Sequence, residues 1–514
     1  MFKLKKEKNR GKVNMKKNSV VGRVFGIIFT IILFLSTMFL LYEMISLNVL
    51  PTKILFLITI VFVLLDLIFF LLLVFYTKGV VSKIFCILLS ILLSAASCFG
   101  GYYMMKTNGL FSSMTNVSLK AKNAVSVVVK DSSDIKKVNQ LNGKQIGTLR
   151  SIGAAGTKAC IKGLKSESVS IERKNYDSMS AMLEGFYNGE VEGVIINESS
   201  RSSITDMDGY SDFTKNTRVV YQTTYTQENT DKASSVNDIT KNAFNVLISG
   251  SDTRGGFDEY GRSDVIMVAT VNPKTSTVLL TSIPRDFYVT TACDAGDGCQ
   301  EGALDKITHT GIHGTNTTKR TVENLLGITI NYTFKVGFDT VTDLVDALDG
   351  IDVTVEEGYA LDGTGNTNTG IVVHEGVNHL DGEHALLFAR ERYAYAEGDR
   401  QRTKNQQQVL MGIIKKGTSP TVITNYAKIM DAMANTFSTT MSSEEIQSLI
   451  KYQISDNPSW TIQQYMVDGT GDTLMCAELG DAAYVMVPNQ STVTTAKNKI
   501  NAVLDGKSAD DVNE

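Results

Sequence analysis

Arginine residues recur beside acidic residues in five short segments of the second half of the chain, and in four of the five the acidic residue is aspartate. In chain order these segments are "GSDTRGG", "GRSDVIMV", "SIPRDFYV", "FARER" and "GDRQRTKNQQQ". Guanidinium groups bind phosphate oxygens in a bidentate manner and stay charged at physiological pH. Carboxylates are hard oxygen ligands that suit Mg²⁺, which binds one or two of them together with substrate phosphates. The combination predicts a site for a phosphate-bearing substrate with Mg²⁺ (or Mn²⁺).

The first three segments lie at the ends of predicted strands, and ligand sites of open α/β sheets gather at such ends. The residues placed there are Asp252, Arg254, Arg262, Asp264, Arg285 and Asp286. One Arg–Asp motif alone is often a surface ion pair of little energetic value. Recurrence of the motif at several element ends favours a shared site.

The last two segments add cations and a helix terminus. Arg390 and Arg392 have the spacing of one face of a strand, whereas Arg402 and Gln406 have the spacing of one face of a helix. That helix is predicted to begin near Asp399, where unpaired backbone amides add donors for an anion.

A basic N-terminus and three apolar runs predict a membrane anchor. Residues 1–23 carry nine lysines and arginines against one acid, and the apolar runs cover 24–42, 54–76 and 84–99. The third run reaches the ~20 residues of a membrane span if residues 100–103 join it. The charge rule places the N-terminus in the cytoplasm, so the chain after about residue 104 is predicted to be extracellular and the protein to be a multi-pass cell-membrane protein. Asp66 is interpreted as a neutral or helix-pairing residue of the anchor.

Strand-like and helix-like runs alternate in the exported part, which predicts the α/β class. After a tether at 104–117, a small accessory domain is expected over 118–225; "LNGKQIGTLRSIGAAGT" with "GEVEGVIINES" resembles one lobe of the periplasmic solute-binding protein fold. Residues 226–242 are interpreted as a linker, and a second α/β domain with a central sheet flanked by helices is predicted over 243–506. The acidic tail is expected to be disordered.

Within the second domain, "GSDTR", "RSDVIMVATVNP", "SIPRD", "LDGEHALLFARER" and "GDRQRTKNQQQVL" follow one another in an order that resembles the LytR-CpsA-Psr family of cell-wall proteins, and its CpsA-like branch in particular. Three spans followed by an extra exported domain are also typical of that branch. The resemblance implies an extracytoplasmic phosphotransferase. It would move a glycopolymer, a capsular polysaccharide or a teichoic-acid-like polymer, from polyprenyl pyrophosphate onto peptidoglycan through a phosphodiester bond.

The resemblance also implies roles for individual residues. Asp252 and Asp264 match the carboxylates that organise Mg²⁺, and they are predicted to be catalytic together with Arg285 and Arg390. The residues predicted to bind the pyrophosphate are Arg262, Arg285, Arg390, Arg392, Arg402 and Gln406. Further candidates for the site are Arg254, Asp286, Lys306, Asp399, Arg400 and Asn405. Asn405 stands where many members have arginine, so one phosphate contact is expected to be missing or supplied by Arg400 or Lys404.

Two other functions remain open at this point: a lipid-pyrophosphate-binding regulator that assembles with capsule synthesis or export proteins, and a polyprenyl-pyrophosphate hydrolase. Nucleic-acid binding is excluded as a primary function because the exported half is not notably basic. Cys293 and Cys299 form either a short disulfide or two thiols. His309 is a weaker phosphate ligand candidate than Lys306, and His374, His379 and His384 are expected to be solvent-exposed.

Overall fold

The computed structural model describes residues 20–77, 79–115, 120–251, 259–293, 298–419, 425, 428–429, 432 and 437–513. The chain divides into two compact units. One unit falls within residues 1–109 and 450–455, and the other within 110–449 and 456–514.

Three long apolar helices form most of the first unit. They are α1 (Val20–Leu47), α2 (Thr52–Phe70), which continues as a π-helix over Leu71–Tyr76, and α3 (Val80–Thr115). Each is long and apolar enough to cross a membrane. The three predicted spans are confirmed as helices, and the third includes residues 100–103. Thr37 on α1 donates a hydrogen bond to Asp66 on α2 (2.7 Å), which agrees with the interpretation of Asp66 as a helix-pairing residue.

The tether expected at 104–117 is wrong for its first twelve residues. The segment 104–115 continues α3 without interruption, because it contains no proline and its single Gly109 does not end a helix that is already formed.

The accessory domain is a five-stranded mixed sheet with the order β3-β2-β4-β1-β5. Its strands are β1 (Lys120–Lys130), β2 (Gln145–Leu149), β3 (Glu172–Tyr176), β4 (Gly193–Asn197) and β5 (Thr217–Glu228). Its helices are α4 (Ala154–Ser166), α5 (Met179–Tyr187), α6 (Arg201–Thr205) and α7 (Phe213–Asn216). The predicted α/β class of this domain is confirmed.

The C-terminal domain is built on a six-stranded sheet with the order β16-β11-β6-β7-β8-β17. These strands are β6 (Phe244–Ser251), β7 (Ser263–Asn272), β8 (Thr277–Ile283), β11 (Tyr332–Gly337), β16 (Phe437–Thr439) and β17 (Thr461–Met466). The central strands β6, β7 and β8 are antiparallel neighbours, while β11 and β17 join them in parallel. Short strands surround the sheet: β9 (Tyr288–Thr290), β10 (Leu304–Lys306), β12 (Ile351–Val355), β13 (Leu361–Asp362), β14 (Val372–Val373), β15 (Gly376–Leu380), β18 (Gly469–Cys476) and β19 (Asp481–Pro488).

Helices cover both faces of this sheet, as predicted. The helices of the C-terminal domain are α8 (Thr315–Leu326), α9 (Phe338–Ala347), α10 (Gly382–Arg390), α11 (Asp399–Gly417), α12 (Ser443–Asp456) and α13 (Gln490–Leu504). Ile266 and Val268 pack with α8 and α13 on one face, whereas Met267 and Ala269 pack with α11 on the other. The alternate side chains of β7 therefore fill two separate cores.

The acidic C-terminal tail is ordered, contrary to expectation. Residues 509–511 form a 3-10 turn, and Ala509 is buried in the core beneath β8 and α13. The buried amine of Lys499 donates hydrogen bonds to the carbonyl oxygens of Ala509 (2.8 Å) and Val512 (3.1 Å). Composition alone does not reveal that a buried lysine needs these acceptors.

One core is shared by the accessory and C-terminal domains. Residues from the accessory domain, including Met182, Phe186 and Phe213, pack in it with Cys476, Leu479 and Val485 of the β18–β19 hairpin. Ser180 at the start of α5 donates to the carbonyl oxygen of Gly480 (2.9 Å). The two domains therefore form one packed body. Elsewhere in the C-terminal domain, Cys293 and Cys299 are joined by a disulfide.

Candidate active site

The ends of two antiparallel strands bring the first site residues together. Arg262 directly precedes β7, Asp264 is the second residue of that strand, and Arg285 and Asp286 follow the end of β8. Because β7 and β8 pair with Ile266 opposite Ile283, the start of one strand lies beside the end of the other. The sequence prediction that these motifs meet at strand ends is confirmed for these four residues.

Asp264 and Arg285 form the central ion pair of the site. Arg285 Nη1 donates to Asp264 Oδ1 at 2.7 Å, and the hydroxyl of Thr308 lies 3.4 Å from the same oxygen. Burial by itself would raise the pKa of Asp264, but the guanidinium groups of Arg285, Arg262 and Arg402 outweigh burial and lower the pKa to about 2. Asp264 is therefore ionised at neutral pH and surrounded by three cations.

Arg285 is the residue that links the other groups. Its Nε lies 3.7 Å from Asp286 Oδ2, and Asp286 Oδ1 lies 3.3 Å from the amine of Lys306. Burial lowers the pKa of Arg285, yet Asp264 and Asp286 overcome this effect and raise the pKa above its ordinary value. Lys306 thus reaches the site, as predicted. His309 instead contacts Asp305 (2.8 Å) in a buried pair.

The first turn of α11 supplies a second, largely buried ion pair. The helix begins at Asp399, as predicted, and Arg402 contacts the Asp399 carboxylate from one turn later. Burial raises the pKa of Asp399 and lowers that of Arg402. Although the two side chains touch, neither Asp399 oxygen accepts a hydrogen bond from any described residue, and the Nε atoms of Arg402 and Arg285 donate none. Buried polar atoms are rarely left without partners, so this region has the character of a ligand site.

The position of Arg390 and Arg392 corrects the sequence analysis. Arg390 is the last residue of α10 and Arg392 lies in the segment after it, so the two do not share a face of a strand. Asp381 caps this helix by accepting a hydrogen bond from the backbone of His384 (2.9 Å). Arg392 interacts electrostatically with Asp399 and so belongs to the cluster, whereas Arg390 is exposed at the helix end.

A buried carboxylate that the sequence analysis missed holds this segment in place. Glu391 accepts hydrogen bonds from the hydroxyls of Thr367 and Thr369 and from backbone amides that include that of Ala394 (3.1 Å). Burial would raise the pKa of Glu391, but these hydrogen bonds lower it to about 2. The glycine-rich segment 363–370 is thereby tied to the arginine-bearing segment.

The remaining candidates of α11 point in different directions. Gln406 donates to the carbonyl oxygen of Ala389 (3.4 Å). Asn405 is buried and donates to the carbonyl oxygen of Phe388 (3.1 Å), so in this structure it connects α11 to α10. Arg400 contacts Asp468 (2.9 Å).

Lys404 contacts Glu356 (3.7 Å). Arg400 and Lys404 are thus each paired with a carboxylate outside the arginine cluster, and the expectation that one of them supplies the phosphate contact missing at Asn405 stays a prediction. Asp252 and Arg254 lie outside the described residues.

The accessory domain contributes one more residue, which no local pattern signals. Asp206, directly after α6, forms an ion pair with Arg262, and its Oδ2 lies 3.7 Å from Arg285 Nη2. The site is therefore lined by two domains.

Within the described part of the chain, no group of three His, Cys, Asp or Glu side chains is arranged to hold a metal ion. His379 and His384 are exposed, as expected, and each contacts one aspartate. Mg²⁺ requires only one or two protein carboxylates when substrate phosphates complete its shell. The ionised Asp264 fits that requirement, as does Asp399, whose oxygens accept no hydrogen bond from a described residue.

Comparison with known proteins identifies the family. The family model described as "LytR_cpsA_psr family" matches residues 210–502, more than half of the chain. The chain belongs to the LytR-CpsA-Psr family. The resemblance noted from the motifs is thus confirmed.

Two relatives of this LytR-CpsA-Psr protein are each named polyisoprenyl-teichoic acid–peptidoglycan teichoic acid transferase TagU. The protein of Bacillus cereus (strain AH820) is 35% identical over 207 residues, which is 40% of this chain and 63% of the relative. The protein of Bacillus subtilis (strain 168) is 35% identical over 245 residues, 47% of this chain and 72% of the relative. The match to the Bacillus cereus protein thus spans less than two thirds of that relative.

Two solved structures are also similar to part of this LytR-CpsA-Psr chain. Protein gbs0355 from Streptococcus agalactiae has 29% identity and a TM-score of 0.44, covering 53% of this chain and 92% of that one. A structure described as TagT bound to LI-WTA has 26% identity and a TM-score of 0.41, covering 53% and 96%.

Proposed function

We propose that the protein is a membrane-anchored phosphotransferase that moves a glycopolymer from polyprenyl pyrophosphate onto peptidoglycan through a phosphodiester bond. The observation that carries the proposal is the cluster of Arg262, Arg285 and Arg402 around Asp264, together with buried Asp399 oxygens that accept no hydrogen bond from any described residue. Such a cluster suits a diphosphate, which presents several anionic oxygens at once. The relatives named as teichoic acid transferases support the same reaction.

The reaction requires charge stabilisation more than covalent chemistry. A sugar hydroxyl of peptidoglycan would attack the phosphorus that carries the glycopolymer, and the bond from that phosphorus to the bridging oxygen would break. Polyprenyl phosphate leaves with the bond's electron pair, and the proton of the hydroxyl passes to a carboxylate of the site. Arg285 and Arg402, being largely buried, would stabilise the charge that develops on the leaving phosphate.

The expected cofactor is Mg²⁺, or Mn²⁺ in its place. Asp264 and Asp399 are the described residues that fit it, together with Asp252 as predicted from the sequence. When bound, the ion would neutralise negative charge on the diphosphate oxygens. Chelation with EDTA should therefore reduce transfer, and Mg²⁺ should restore it.

The membrane anchor fits a donor that cannot leave the bilayer. Three helices able to cross a membrane, with a basic N-terminus, favour an extracellular position for both α/β domains. The acceptor, peptidoglycan, is on that side. The names of the relatives favour a teichoic-acid-like polymer, and the CpsA-like motifs favour a capsular polysaccharide.

The test is a transfer assay with lipid-linked polymer and peptidoglycan, comparing Arg402→Gln with a matched variant, Arg150→Gln. Arg150 is also ion-paired, with Asp177, but lies on the surface of the accessory domain. We expect Arg402→Gln to lose roughly 100-fold in rate, as expected for removal of one donor to a developing oxyanion, and Arg150→Gln to match wild type.

Three results would contradict the proposal. Transfer at the wild-type rate by Arg402→Gln would refute the assignment of the arginine cluster as the active site. Release of free phosphorylated polymer, with none joined to peptidoglycan, would identify a hydrolase. Binding of the donor without transfer or hydrolysis would identify a regulator of capsule synthesis or export.

A further inference from the structure

Asp206 places a carboxylate of the accessory domain on the arginine cluster of the C-terminal domain. Its ion pair with Arg262 and its 3.7 Å approach to Arg285 use the same oxygen, Oδ2. The Asp206 side chain is 44% exposed, whereas those of Arg262 and Arg285 are only 9% and 11% exposed. An anion that approaches these two guanidiniums from solvent therefore meets a carboxylate that is already bound to them.

The position of Asp206 is fixed by the fold of the accessory domain. Its neighbours Ile204 and Met207 are both buried in the core shared by the two domains. Its backbone amide donates to the carbonyl oxygen of Ser202 (3.2 Å) at the end of α6. The backbone is therefore held in place, while the half-exposed side chain has room to rotate toward solvent.

Both guanidiniums have anchors that do not depend on Asp206. Arg285 is held by its 2.7 Å hydrogen bond to Asp264 and lies near Asp286. Arg262 also interacts electrostatically with Asp264. Removing the carboxylate of Asp206 should consequently free guanidinium donors without displacing them.

We propose that Asp206 is a built-in competitor for the anion site: the accessory domain supplies the carboxylate that a diphosphate must displace from Arg262 and Arg285. A carboxylate and a phosphate present similar pairs of anionic oxygens to a guanidinium, so one can take the place of the other. The accessory domain would then lower the affinity of the site for the donor, and the Asp206 side chain would be displaced when the donor binds. This inference rests on the proposed function, because it assumes that the arginine cluster is the diphosphate site.

The experiment is calorimetric titration of the full chain, in mild detergent with EDTA, with inorganic pyrophosphate. Asp206→Asn removes the charge and keeps the shape. The matched control is Asp212→Asn, which removes one charge from an exposed surface pair with Lys215 in the same domain. Thermal unfolding of each variant checks the fold.

We expect Asp206→Asn to bind pyrophosphate about tenfold more tightly than wild type, or about 1.4 kcal/mol, and Asp212→Asn to match wild type. If wild type binds pyrophosphate and Asp206→Asn binds it equally or more weakly, the role of Asp206 as a competitor is refuted, while the proposed function still stands. An equal gain in both variants would also refute that role, because the effect would then be one of net charge. If neither wild type nor Asp206→Asn binds pyrophosphate, the anion site itself fails and the proposed function with it.

Discussion

The Asp264–Arg285 pair should couple the stability of the C-terminal domain to its chemistry. The side chains are only 13% and 11% exposed, and their atoms meet at 2.7 Å. Removing one member of such a pair leaves the other charge buried, which costs about 3–5 kcal/mol. After Arg285→Gln, Asp264 keeps Arg262 and Arg402 nearby; after Asp264→Asn, Arg285 keeps Asp286 and Asp206. We therefore expect a value near the lower limit, about 3 kcal/mol, for each variant.

The double variant should lose less free energy of unfolding than the sum of the losses in the two single variants. Each single variant leaves one buried charge without its partner, whereas the double variant removes both charges. We therefore expect a coupling free energy of about 2 kcal/mol between the two substitutions. The double variant should fold and yet fail to bind pyrophosphate, which would separate folding from binding.

Trp460 offers the assay, since it is the only tryptophan of the chain and directly precedes β17, the strand that pairs with β8. It packs against the core beneath α11, so its fluorescence during urea denaturation reports on the sheet that carries the site. The control is Arg150→Gln, whose exposed ion pair should be worth at most about 1 kcal/mol. Two results would contradict this prediction: both single variants unfolding at the wild-type urea concentration, or a double variant whose loss in free energy of unfolding equals the sum of the two single losses.

Three further predictions follow from other buried groups. The pKa values of Asp264 and Glu391 are lower in the folded than in the unfolded state; the stability they provide should be complete above about pH 5 and decline as the pH falls toward 2, which urea midpoints at several pH values will show. Glu391→Gln should cost about 2 kcal/mol and raise KM for the donor more than it lowers kcat, because the arginine-bearing segment loosens; Glu383→Gln, on the exposed face of α10, should leave both unchanged. Truncation after Gly506 removes the acceptors of the buried Lys499 amine and should lower the thermal midpoint, an effect that a second change, Lys499→Met, should partly reverse.

Much of the fold could be predicted because the signals are local. The apolar β7–β8 hairpin and α11 follow from the period of their hydrophobic residues. The meeting of Arg262, Asp264, Arg285 and Asp286 could be predicted because their motifs recur at strand ends. The predicted strand at Arg390 is wrong because Asp381 caps a helix there; "DGEH" before an apolar run is a helix-start signal.

Other features could not be predicted because they depend on contacts distant in sequence. Asp206 lies in "ITDMDG", where nothing marks it as a partner of Arg262. The burial of Ala509 in an acidic tail likewise depends on a lysine ten residues earlier. Composition describes the average residue of a segment, whereas each of these contacts is made by one side chain.

The shared core has a consequence for how the molecule is made. The accessory domain is synthesised well before the β18–β19 hairpin, yet Cys476, Leu479 and Val485 of that hairpin complete its apolar interior. Until those residues are synthesised, the accessory domain exposes the apolar surface that they later cover, and such a state is prone to self-association. We expect a nascent chain halted before residue 469 to need a chaperone. Synthesis of the β18–β19 hairpin should remove that need, because the hairpin covers the exposed apolar surface.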